Sequence, residues 1–249
     1  MRTVHQPVTT RSEAPRRRAA ALAGHLGDTD TLRELLDDPH PAVRATVLTA
    51  LQRCDAPYDD VLRAALADTD PQVRHRAAEL AASHDGVSLI ATLSDRDPLV
   101  VEAAAWAAGE RPDDPERTAV LLRLVELAAG HRDPLVREAA VAAIGSLAGA
   151  TTGDDRPEEH PEERGPEDCN TGDDDADLDP MAAGRRAVLA AMGDKPNIRR
   201  RAVLALVAFD GPEVDAALRA ATADRDWQVR EAAEELLRIG DADLARPQE

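Results

Sequence analysis

One short phrase recurs along the chain and limits what it can fold into. It reads Pro41-Ala-Val-Arg44, Pro71-Gln-Val-Arg74, Pro134-Leu-Val-Arg137 and Pro196-Asn-Ile-Arg199, with Pro98-Leu-Val-Val101 and Trp227-Gln-Val-Arg230 as variants. Pro15-Arg-Arg-Arg18 aligns as an earlier, looser copy. Successive prolines are separated by 26, 30, 27, 36 and 62 residues, and Trp227 follows 31 further on. The long step falls to 32 once the 30-residue acidic stretch from Thr151 to Pro180 is set aside. Seven units of about thirty residues result, a period typical of stacked repeats.

Each unit reads as a pair of helices. Asp70, Asp97, Asp133 and Asp226 stand where a helix N-cap is needed, and a proline in the first turn sacrifices only an N–H that would lack a partner anyway. Counting from the proline, positions +2, +6, +9 and +10 carry apolar or small residues, one face at helical spacing. The frequent alanines let neighbouring helices approach closely. Shorter amphipathic stretches precede these helices, at 30–36, 60–66, 86–93, 119–128, 185–192 and 213–221, and each is expected to form the first helix of a pair. A single pair leaves an apolar face bare, so the pairs must stack. Aromatic residues make up only 2% of the chain, which suits thin layers of closely packed helices. The expected fold is all-α, a right-handed α-solenoid of about seven two-helix repeats.

The D-x-D-P-x-V-R-x-x-A pattern, in register from about Ser12 to Ile239, resembles that of HEAT-repeat proteins, in particular the short-repeat subgroup named after phycobilisome lyases. The resemblance implies an armadillo/HEAT-type superhelix in which Arg44, Arg74, Arg137, Arg199 and Arg230 form a structural ladder between neighbouring repeats. A guanidinium suits that task because it can bond several carbonyls and a carboxylate at once. Val101 holds this place in the fourth unit, which implies a weaker or rearranged junction near the centre.

Charge divides the chain further. From Thr151 to Pro180 there are thirteen acids against Arg156 and Arg164, so this segment carries −11 of the total −18. Too little there is apolar to offset the entropy of ordering. The expected organisation is therefore a disordered N-terminus at 1–11, repeats at 12–150, a disordered acidic insert at 151–180, repeats at 181–239 and a polar tail at 240–249. Alternate aspartates in Asp173 to Asp179 suggest a calcium loop, but its required Gly and Glu positions hold Leu178 and Gly184. Lys195 is the sole lysine, and the acidic, lysine-poor composition points to a salt-rich cytoplasm or to GC-rich codon usage.

The sequence supports no catalysis. Cys54 and Cys169 form neither a disulfide framework nor a ligand cluster. HEAT-repeat enzymes similar to deoxyhypusine hydroxylase hold di-iron with paired His-Glu dipeptides, and none of the seven histidines here is followed by Glu. Bilin lyases share the repeat, but offer no motif that can be placed on residues of this chain. No phosphate loop, GxSxG elbow or CxxC is present. Neither cofactor nor metal is expected. The only basic stretch is the start, with Arg2, Arg11, Arg16, Arg17 and Arg18, and an acidic body opposes nucleic acid. Arg16 to Arg18 read as a solvated helix face, or as a docking site for the acidic insert. The chain lacks an apolar run long enough to span a membrane and a secretory leader, so a cytoplasmic monomer is expected.

Positions four, five and eight after the proline are expected to line a concave face, and His75, Arg76, Glu79, Glu102, Trp106, Glu138, Arg200 and Arg201 are the candidate partner-binding residues. Trp106 is either an aromatic anchor in a polar rim or a filler of space beside alanines. Trp227, in a proline position, is expected to pack between repeats near the terminal cap. The leading expectation is a non-catalytic adaptor that holds another protein or a peptide. The alternative is an enzyme or enzyme subunit related to bilin lyases or HEAT-repeat hydroxylases.

Overall fold

A computed structural model of the chain describes residues 12–54, 58–151 and 179–244. The sequence expectations for 1–11, for most of the acidic segment, with Cys169, and for the end of the tail lie outside these residues. The described residues contain twelve α-helices and no strand. Contacts divide the chain into two compact units, Met1–Leu80 and Ala81–Glu249.

In the first unit α1 (Glu13–Leu26), α3 (Pro41–Gln52) and α5 (Pro71–Leu80) are the second helices of successive modules and pack in sequence order, with α2 (Thr29–Leu35) and α4 (Asp59–Leu66) as the shorter first helices. Gly27, in the left-handed conformation at φ 70°, ends α1 and turns the chain into α2. In the second unit α6 (Pro98–Gly109), α8 (Pro134–Thr151), α10 (Pro196–Leu206) and α12 (Trp227–Leu244) form the matching series. Their first-helix partners are α7 (Arg117–Gly130), α9 (Pro180–Ala191) and α11 (Pro212–Ala221). Seven second helices thus define seven modules, and each unit is a stack of them, the arrangement of an α-solenoid.

The repeated phrase works as local chemistry predicts. Asp70, Asp97, Asp133 and Asp226 each accept the backbone N–H two residues on, at 2.9–3.0 Å, and so cap the helix that follows. The +2 residues Val43, Val73, Val100, Val136, Ile198 and Val229 are buried in the second to seventh modules, and so are the +6 residues from Val47 to Ala233. Each valine or isoleucine at +2 contributes about 1.5–3 kcal/mol when withdrawn from water, and an alanine methyl at +6 about 0.8 kcal/mol.

Within each unit a further small-residue position, eleven residues after the start of the second helix, brings successive helices together. A Cβ on Gly24 would sit 2.7 Å from the Ala50 Cβ, one on Gly145 would sit 2.7 Å from the Ala205 Cβ, and one on Gly109 would sit 3.0 Å from the Ala143 Cα. Helix backbones meet there almost directly, which leaves no room for a side chain.

Two expectations fail. The stretch 86–93 is not an α-helix; it is turns and bends leading into a 3-10 turn at Thr92–Ser94. Val87, Ile90 and Thr92 are β-branched and disfavour a helix. Their neighbours still reach the core, since Val87, Leu89 and Leu93 are fully buried. Burial is satisfied there without regular structure. Trp227, expected between repeats, is instead 60% exposed at the start of α12.

Candidate protein-binding faces

The inter-repeat ladder sets where the exposed residues stand. Arg44 clamps Asp68 with Nε and Nη2 at 2.9 and 2.7 Å, while its Nη1 donates to the Asp38 carbonyl at 2.8 Å. Arg137 grips Asp194 at 2.7 and 2.9 Å and the His131 carbonyl at 2.8 Å. Arg199 grips Asp224 at 2.8 and 2.7 Å and the Asp194 carbonyl at 2.8 Å. One guanidinium therefore ties its own loop to the loop of the next module. Arg74 and Arg230 make the same inward bond, to the carbonyls of Asp68 and Asp224 at 2.9 and 2.7 Å.

Each acceptor aspartate has a second task. Asp38, Asp68, Asp194 and Asp224 also accept a backbone N–H from the following one or two residues, at 2.7–2.9 Å. The arginine bonds hold Asp38, Asp194 and Asp224 below the ordinary carboxylate range. At Asp68 burial pushes upward, and the bond from Arg44 with further hydrogen bonds outweighs it, leaving the group lowered as well.

Arg16 is a rung that sequence alignment misses. It bonds Asp38 through Nε and Nη2 at 2.6 and 3.1 Å. The proline alignment places Arg18 at the ladder position, but α1 begins at Glu13, two residues before Pro15, and Arg16 then falls three residues after the start as in the other modules. The reading of Arg16 as solvated face or docking site is therefore corrected, whereas Arg17 and Arg18 are exposed.

The fourth module departs from the pattern. Val101 is 1% exposed, an apolar residue in the rung position. The acceptor position of the fifth module is His131, whose Nδ1 accepts the Asp133 N–H at 3.2 Å in place of a carboxylate oxygen. Both halves of the rung are thus replaced. Arg111, with a side chain 1% exposed, donates to the carbonyls of Val87 and Asp85 at 2.8 and 2.9 Å and pairs with the buried Asp114 at 2.6 Å. These bonds satisfy the carbonyls of the non-helical stretch. Arg117 adds a bond of 2.6 Å to the Leu147 carbonyl of α8. No repeat period marks Arg111, Asp114 or Arg117, so alignment could not single them out.

The candidate binding residues lie on the second helices. In the first unit His75 and Arg76 stand 3.7 and 2.8 Å from Glu79 along α5, all three half-buried. The other five belong to the second unit. Glu138 on α8 bonds Asn197 of α10 at 2.6 Å and faces Arg201 at 3.8 Å, so the α8 and α10 surfaces are joined. Arg200 and Arg201 are exposed, and Glu102 is half-buried. Trp106 is 52% exposed, which excludes the space-filling reading. Leu99, two turns before it on α6, is 56% exposed, and Leu135, at the equivalent place on α8, is 51% exposed.

The first unit also forms a groove of about 310 Å³, bordered by Arg17, Arg53, Arg76 and Gln72, with Thr46 and Thr49 in its floor. Among the described residues no group of three or more His, Cys, Asp or Glu could hold a metal ion. None of their helices is long and apolar enough to cross a membrane.

Stacked helix pairs tied by an Asp–Arg ladder give each unit the fold of a HEAT/armadillo-type α-solenoid. A family model of HEAT repeats matches residues 6–83. No curated protein matches the chain significantly. Among solved structures, an engineered protein overlays with a TM-score of 0.56 at 18% identity, over 86% of this chain and 97% of its own. The Escherichia coli protein YibA overlays with a TM-score of 0.55 at 15% identity, over 97% of this chain and 83% of its own. At such identities the likeness is one of fold.

Proposed function

We propose that the chain is a non-catalytic scaffold, a cytoplasmic monomer that holds a partner protein or peptide on its second-helix faces. The thirty-residue period supports a place in the short-repeat subgroup named after phycobilisome lyases. The observation that carries the binding role is Trp106, half in water on a helix whose other faces are buried, with Leu99 and Leu135 exposed beside the same stripe. Large apolar side chains left in water on a rigid frame, with charges around them, are the usual make-up of an interaction hot spot. Glu102, Glu138, Arg200 and Arg201 supply the polar rim here. In the first unit His75, Arg76 and Glu79 occupy the matching stripe.

The test is affinity capture from the source organism's lysate, in its own salt, with the wild type and with Trp106→Ala, Leu99→Ser, Leu135→Ser. The triple variant should keep its helical circular dichroism and lose specific partners. An unchanged partner set would refute the role given to this face.

A further inference from the structure

We propose that the groove of the first unit is a recognition site for an extended acidic peptide segment of a partner protein. This deepens the scaffold reading and rests on it, by stating the chemistry of one ligand. The chain as a whole carries −18, yet among the described residues the groove is lined by three arginines and no carboxylate. Arg17 comes from α1, Arg53 from the end of α3 and Arg76 from α5, so three successive modules each contribute one guanidinium. Cations drawn from three successive modules suit a chain of acidic side chains better than a single compact anion. The acidic body does not cancel this, since exposed charges beyond about 8 Å are screened at physiological ionic strength.

The floor selects a peptide over a nucleic acid. Thr46 and Thr49 donate their hydroxyl protons to the carbonyls of Ala42 and Ala45, at 2.7 and 3.4 Å. Their remaining lone pairs are acceptors, and Gln72 offers both a donor and an acceptor. A phosphate backbone brings acceptors only and leaves the threonine oxygens unmet. A peptide brings carboxylates for the arginines and main-chain N–H groups for the threonines. Small residues such as Ala21 and Ala45 keep the floor shallow enough for an extended backbone to lie close. Arg53 is positioned by His25, with Nη1 to Nε2 at 3.0 Å, and Arg76 by Glu79 at 2.8 Å, which leaves both partly ordered before a ligand arrives.

The experiment uses the full chain and three fluorescein-labelled probes read by anisotropy: an eight-residue Glu/Asp-rich peptide, its Lys-rich counterpart and a single-stranded DNA 12-mer. The acidic peptide should bind, more weakly as salt rises, and the Lys-rich peptide should not. Arg17→Glu with Arg53→Glu should weaken the acidic peptide by about tenfold or more, equivalent to about 1.4 kcal/mol. The milder Arg17→Gln with Arg53→Gln should lie between, and circular dichroism confirms that both variants fold. No binding, equal binding by the charge-reversed variant, or tighter binding of the DNA would overturn the proposal. Trp106→Ala should leave peptide binding unchanged. A lost peptide signal with Trp106-dependent capture intact removes this site alone; lost capture with peptide binding intact removes the role of the second unit's face.

Discussion

The junctions of the fifth module with the sixth and of the sixth with the seventh carry bidentate Arg–Asp rungs, whereas the junction of the fourth with the fifth places Val101 and His131 in the same two positions. Stacking persists in both kinds: the +11 glycine lies against the +9 alanine at Gly109–Ala143 as it does at Gly145–Ala205. Apolar contact therefore suffices to join two modules. A rung adds two charged groups whose desolvation offsets much of their attraction, so replacing both halves by a valine and a histidine is tolerated. What the rung supplies is registry, because a planar guanidinium accepts one arrangement of two loops. Where it is absent, Arg111 and Arg117 fix neighbouring carbonyls instead.

The largest effect on stability is expected at Arg111. Arg111→Ala strands the buried Asp114 and frees the Val87 and Asp85 carbonyls, and should cost about 3–5 kcal/mol in urea denaturation. A loss below about 1 kcal/mol would mean that the non-helical stretch needs no such clasp.

Installing a rung is the next strongest step. Val101→Arg alone should cost about 2–3 kcal/mol, as it buries a charge without its acceptor. Adding His131→Asp should recover part of this, with a coupling of about 1–2 kcal/mol between the two sites. Additive effects would show that this junction differs in geometry and not only in residue type.

The smallest effect is expected at an existing rung. Arg199→Ala should cost about 2 kcal/mol, the worth of hydrogen bonds to a charged group. It should also alter the response to acid. Asp194 and Asp224 lie below their ordinary value when folded, so their contribution is fully present above the unfolded value of about 3.9 and is lost as pH falls through the lower folded one. Melting temperature of the wild type should therefore decline below about pH 4, and Arg199→Ala should flatten part of that decline.

Much of the fold is legible in the sequence because one phrase encodes it repeatedly. The cap, the proline and the +2 and +6 positions are local demands, and each is met in nearly every copy. The stretch 86–93 misleads because its apolar spacing suits burial, while its β-branched residues and the carbonyl bonds from Arg111 decide its shape. Arg16 was hidden by a proline that sits two residues inside α1 instead of at its start. The basic groove could not be read from a list of positions, since Arg17, Arg53 and Arg76 occupy different places in their repeats and meet only when three helices stack. Trp106 stands out by residue type, but its exposure is decided by how α6 packs on its neighbours.

Every rung has a direction: the donor belongs to the earlier module and the acceptor to the later one. A tandem copy of any such module carries one of each, so its insertion would close both new seams without further substitution. The Arg137–Asp194 rung spans 57 residues of sequence where Arg199–Asp224 spans 25, with the same bond lengths within 0.2 Å. Growth of such a chain can thus proceed by whole copies or by loops of any length, and the seams accommodate both because closing a longer loop costs little.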